Sequence, residues 1–169
     1  NFSLIRHPLV VTSGTGGSAT GNNHYNFGQT AAINATPDTG YYFVNWTGNG
    51  VLDPNASSTS VLMNANRSVA ANFSLIRHQL HVASGTGGSV TGNNVYDYGQ
   101  TAEIKATPDT GYYFVNWTGD RVLDSNASNT TLLIDSNRSV TANFSKVQPM
   151  LSVSSGPGGS VSGSGSYVY

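Results

Sequence analysis

ATPDTGYYFVNWTG, residues 35–48, stands again without a change at residues 106–119. Thr36-Pro37-Asp38-Thr39-Gly40 is a turn signal, with proline fixing φ and glycine admitting positive φ. Tyr41 to Thr47 follows as an aromatic strand. Strict alternation would place Tyr42, Val44 and Trp46 on one face and Tyr41, Phe43 and Asn45 on the other. An aromatic strand entered by a tight turn, and met twice, marks a repeated β module.

The repeat extends outward from this stretch at a constant 71-residue offset. NFSLIRH at 1–7 recurs at 72–78, and SGTGGS at 13–18 recurs at 84–89 and returns as SGPGGS at 155–160. Modules are therefore set at 8–78 and 79–149, with about two-thirds of positions identical. Residues 1–7 are read as the last strand of a preceding repeat and 150–169 as the opening of a third, incomplete one. These end pieces are too short to build a module together, so the expectation is a segment of a longer array, or ends completed by neighbours. Arg77-His78-Gln79-Leu80 joins the modules without a Pro/Gly/Ser spacer, which predicts restricted motion and a semi-rigid rod.

Within one module, Leu9-Val10-Val11 is a short strand. The glycine-rich turn at 13–18 is read as returning the chain in a hairpin to a second strand, Ser18 to Gly21. A loop carries Tyr25 and Gly28. Thr30 to Ala35 alternates as a half-buried strand should, Ser60 to Met63 is a fifth strand and Arg67 to Ser74 a sixth. No window of ten or more residues has helical periodicity. The fold class is all-β: tandem small β-grasp-like or β-sandwich-like modules of five to six strands, with little or no helix. So short a module buries about 60% of its unfolded surface. Phe43 and Trp46, with Phe114 and Trp117 in the second copy, are the expected core anchors.

Composition narrows the function. Only 9% of residues are charged and the net charge is -1, so no basic stripe exists to neutralise phosphates and nucleic acid is not an expected partner. No apolar run approaches the roughly 20 residues that span a bilayer, so membrane insertion is not expected either. Cysteine is absent, which removes disulfides, thiolate metal sites and cysteine nucleophiles. The Asn/Thr/Ser/Gly-rich surface fits the outside of a cell.

The order Gly-x-Gly-Gly-Ser-Val, then Tyr-x-x-Gly-x-x-Ala-x-Ile-x-Ala-Thr-Pro-x-x-Gly-Tyr-x-Phe-x-x-Trp, then Ser-Val-Thr-Ala-Asn-Phe stands here at Gly85 to Val90, Tyr96 to Trp117 and Ser139 to Phe144. It resembles the divergent internalin-B-type B-repeat family, over nearly the whole chain. That resemblance implies small β-rich modules strung in tandem on secreted or surface-attached prokaryotic proteins, serving as stalk, spacer, adhesion or binding module. It brings no catalytic residues with it.

Each candidate site has a structural counter-reading. Tyr41 and Tyr112 could stack against pyranose rings, although core packing explains much of their strand. Asp53 to Ser58 and Asp124 to Asn129 resemble the first half of a calcium loop. They lack the glycine at position six and the glutamate at position twelve, so an Asx-type turn is the reading taken. Among many Asn-x-Ser/Thr triplets, Asn55 and Asn126 are the accessible glycosylation candidates. His7, His24, His78 and His81 have no ligand spacing, and no Ser/His/Asp grouping recurs in both copies. No catalytic residue, metal or cofactor is expected. The sequence therefore points to a structural extracellular repeat protein, part of a fibre, sheath or surface stalk. Its expected partners are neighbouring modules and other copies of itself. The alternative is an adhesion module for carbohydrate or a cell surface, carried by a larger secreted protein.

Overall fold

The computed structural model describes residues 4–166. The chain divides into two compact units at the Ile76–Arg77 step. Among the described residues there is no helix. The first unit holds β1 (Arg6–Ser13), β2 (Gly17–Thr20), β3 (Asn23–Asn26), β4 (Gln29–Pro37), β5 (Tyr41–Gly48), β6 (Ser58–Met63) and β7 (Arg67–Leu75). The second repeats them as β8 (Arg77–Ser84), β9 (Gly88–Thr91), β10 (Asn94–Asp97), β11 (Gln100–Pro108), β12 (Tyr112–Gly119), β13 (Asn129–Ile134) and β14 (Arg138–Lys146).

Each unit is a two-sheet sandwich. A four-stranded mixed sheet in the order β3-β1-β7-β5 faces a three-stranded antiparallel sheet in the order β2-β4-β6. β1 runs parallel to β7, with Val11 opposite Val69. The apolar alternation of β4 places Ala31, Ile33 and Ala35 inward, against Leu9, Val11, Val69 and Ala71 of the other sheet and Val61 and Met63 of β6. The second unit has its own cluster at the equivalent positions around Ile104, Leu132 and Ile134. Where the copies differ in the core, the positions stay apolar: Met63 and Ile134 are close in volume, and Val61 becomes the one-methylene-larger Leu132.

Three sequence expectations are revised. First, the segment around Tyr25 is a strand. β3 is short and lacks β-branched residues, so its pattern is weak; its pairing with the start of β1 creates it, Arg6 opposite Asn26 and Leu9 opposite Asn23. The ladder is continued by the Asn22 side chain, which accepts from Val11 N at 2.8 Å and donates to Val11 O at 3.1 Å. Arg6 and His7 thus belong to the first module. Of the strand assigned to a preceding repeat at 1–7, residues 1–3 lie outside the described residues and Leu4 and Ile5 are in no strand.

Second, the glycine-rich turn does not close a hairpin. β1 pairs with β3 and β7, whereas β2 pairs with β4 in the opposite sheet. The turn is a crossover, and its glycines form a floor for aromatic rings. A Cβ on Gly16 would lie 2.1 Å from Cδ1 of Tyr41, and one on Gly17 would lie 2.5 Å from Cζ of Phe73.

Third, the face assignment within the aromatic strand fails at its middle. The β5–β7 register passes from Phe43 opposite Phe73 to Asn45 opposite Asn72, leaving Val44 as an extra residue. This β-bulge reverses the alternation. Tyr41, Phe43 and Trp46 therefore turn toward the core side while Tyr42 and Val44 face solvent. Phe43 and Trp46 then meet with ring centroids 5.9 Å apart, and Phe114 and Trp117 meet at 5.7 Å.

Residues 150–166 form only β15 (Met150–Leu151) and β16 (Gly165–Ser166), an antiparallel pair. Met150 opposite Ser166 repeats, 71 residues on, the register of Gln79 opposite Val95. The reading of 150–169 as a third opening falls on these strands, its last three residues lying outside the described residues.

Candidate functional site

The buried tryptophan organises the polar loop that follows β5. Trp46 N donates to Pro54 O at 2.7 Å and its indole Nε1 to Ala56 O at 3.1 Å. Trp117 makes the same pair to Ser125 O and Ala127 O. At 2% exposure each, these rings sit in the core with only the N–H groups reaching the loop. Asp53 and Asp124 accept from the backbone N of Asn55 and Asn126 at 3.0 and 2.9 Å, so both loops start as Asx turns. Asn55 and Asn126 are exposed. Among the described residues, no three His, Cys, Asp or Glu side chains come together as a metal site. No helix among them is long and apolar enough to cross a membrane.

The bulge decides which tyrosine is available. Tyr41 and Tyr112 are half-buried over Gly16 and Gly87. Tyr42 and Tyr113, next along the strand, are 51% and 52% exposed. On the same outer face Asn72 Nδ2 donates to Asn45 Oδ1 at 2.8 Å and to Thr47 Oγ1 at 3.3 Å. Asn143, Asn116 and Thr118 repeat this at 2.9 and 3.2 Å. Tyr42 lies opposite Ser74 and Asn45 opposite Asn72, so the two backbone rungs are about 7 Å apart along the sheet. An i,i+3 spacing of two large aromatics, Phe43 and Trp46, was the available sequence signal for the bulge. It can share one core face only if the strand carries an extra residue.

The second unit has an electrostatic cluster that the first lacks. Asp135, where the first copy has Asn64, accepts a hydrogen bond from Arg138 and lies 3.7 Å from Arg121. Partial desolvation raises the carboxyl's pKa. The hydrogen bond and charge of Arg138, the charge of Arg121 and the Ser136 hydroxyl outweigh it and leave the pKa below the ordinary carboxylate value. A depressed folded-state pKa contributes stability above the unfolded carboxylate range and loses it as pH falls toward the folded value. Acid titration from pH 6 to 3 should therefore destabilise the second unit more in wild type than in Asp135→Asn, followed by thermal unfolding. Equal pH slopes would remove the carboxylate from the account.

Arg121 also occupies a position that disfavours it. Its φ is 44°, while its counterpart Gly50 has φ 88°. A left-handed conformation costs an L-residue roughly 1–2 kcal/mol, and glycine's extra chain entropy returns about half of that. The exposed pair with Asp135 offsets little. Arg121→Gly should stabilise the second unit by about 0.5 kcal/mol, visible as a higher denaturant midpoint at unchanged slope.

The sequence signature of the divergent InlB B-repeat domain matches residues 7–77 and again residues 78–148. The chain belongs to the divergent InlB B-repeat family. No curated protein and no solved structure matches it. The B-repeat family is typical of bacterial surface proteins and is a repeat-domain family of all-β fold, not a known enzyme family. In this B-repeat pair the sequence motifs fall on the structural essentials. The glycine-rich turn underlies Tyr41 and Phe73, and Trp46 ties the long loop to the core.

Proposed function

We propose that this chain is a non-catalytic structural segment of an extracellular protein, holding other parts of that protein away from a surface as a stalk does. The observation that carries the reading is that each repeat closes a complete core around its own tryptophan, with Ile76 alone between β7 and β8. So short a connector supports a joint of restricted motion. Among fibre, sheath and stalk, the strand edges favour the stalk. β2 and β3 have four residues each, β5 is bulged, and β6 is covered by residues 50–52 through Leu62 N to Gly50 O and Leu52 N to Ser60 O. Short, bulged or covered edges resist lateral β pairing. Negative-stain microscopy of native material tests this: dispersed single particles are the expected result, and regular laterally packed filaments would select the fibre instead.

A second reading, adhesion to carbohydrate at a cell surface, is favoured by one observation. Each module exposes half of a tyrosine, Tyr42 or Tyr113, beside a hydrogen-bonded Asn-Asn-Thr group. Glycosylation at Asn55 and Asn126 is compatible with either reading, since both side chains reach solvent.

A further inference from the structure

We infer that the outer face of the four-stranded sheet carries a polysaccharide-binding site in each module, built on Tyr42, Asn45, Thr47 and Asn72 and on Tyr113, Asn116, Thr118 and Asn143. The inference rests on the adhesion reading and specifies its site and ligand class. Three features select the ligand. The face offers one aromatic ring at half exposure, whose negative π surface suits the weakly positive C–H bonds of a pyranose face. Two β7 residues along the sheet, on a rung about 7 Å from that of Tyr42, the Asn-Asn pair presents amide donors and acceptors already held by one another, so binding orders few rotamers. None of the named side chains is charged, and Lys146 beside Tyr113 has Leu75 as its counterpart in the first module, so the features common to both sites match a hydroxyl-rich chain rather than a phosphate or an acidic peptide.

The two copies agree where the site lies. Some outer-face positions elsewhere differ, with Val10 against His81, Thr12 against Ala83, Ala70 against Thr141 and His24 against Val95, while Val44, Ser68 and Ser74 are kept as Val115, Ser139 and Ser145. The four site residues are the same in both, and so are their hydrogen bonds. In the second module the Tyr113 ring also lines an open depression of about 460 Å³ with Ser145, Lys146, Val147 and Gln148. This places room for a sugar unit beside the ring.

Affinity electrophoresis of the full chain in gels containing xylan, mixed-linkage β-glucan or mannan, with alginate as an acidic arm, tests the site. Wild type should be retarded by at least one neutral polymer. Tyr42→Ala or Tyr113→Ala should weaken retardation several-fold, and the double variant should lose it by tenfold or more at an unchanged melting temperature. Asn45→Ala with Asn116→Ala is a second, independent probe and should weaken binding likewise. Retardation equal in wild type and double variant overturns the site while leaving the adhesion reading standing. Retardation by alginate alone overturns the neutral ligand class. No retardation by any polymer sinks the adhesion reading and the site with it.

Discussion

Trp117→Ala is expected to lower the stability of the second module by about 4 kcal/mol. The ring is 2% exposed and packs against Phe114, and its Nε1 bonds Ala127 O at 3.0 Å. Truncation opens a cavity at the centre of the sandwich and removes the indole donor that anchors residues 125–127. A domain of this size has roughly 4–10 kcal/mol to lose. The variant module should therefore sit near its unfolding midpoint at 37 °C. The chain has two tryptophans, one in each module, so Trp46 fluorescence in this variant reports the first module alone. Calorimetry should show one transition moved down by tens of degrees while the Trp46 transition stays close to wild type. Trp117→Phe separates the terms: it retains most of the packing and loses the hydrogen bond, at about 1–2 kcal/mol. A Trp117→Ala chain that melts as wild type would mean the sandwich core is not centred on this ring.

Gly87→Ala should cost about 3 kcal/mol, a large effect for one methyl group. Two causes combine: a φ of 98° and a Cβ that would lie 2.1 Å from the Tyr112 ring. Two other glycines divide them. Gly99 has φ 81° and open space around it, so Gly99→Ala reads the backbone cost alone, about 1 kcal/mol. Gly88 has a Cβ position 2.4 Å from Phe144 Cζ without a positive φ, so Gly88→Ala reads the ring displacement alone, about 2 kcal/mol. Denaturant midpoints of the three variants should rank Gly87, Gly88, Gly99 from most to least destabilised. A Gly87→Ala cost no larger than that of Gly99→Ala would show that Tyr112 moves aside freely and that the crossover is not a packed floor.

The crossover is where the reading from sequence and the structure part most instructively. Glycine-rich residues between two short strands have the signature of a hairpin, and local chemistry cannot say otherwise. What separates β1 from β2 is non-local: β1 is claimed by β7, nearly sixty residues later, with Val10 opposite Ser68. β3 was missed for the same reason, since Asn23-His24-Tyr25-Asn26 has little strand propensity and is a strand because β1 offers it a partner. In the candidate site, the choice of Tyr41 and Tyr112 followed from alternation. The bulge at Val44 moves exposure to Tyr42 and Tyr113, and it exists because Phe43 and Trp46 both gain by facing one core.

From the amino acids alone came the duplication, the all-β class, the turn at residues 36–40, the inward set of β4 and the place of the tryptophans in the core. These rest on identity at a fixed spacing and on the two-residue period of a strand, both local properties of the chain. The tertiary structure decided which strands share a sheet, which tyrosine meets solvent and what the glycines are for. Those outcomes depend on pairings between residues far apart in the chain, and on competition among large side chains for one small interior.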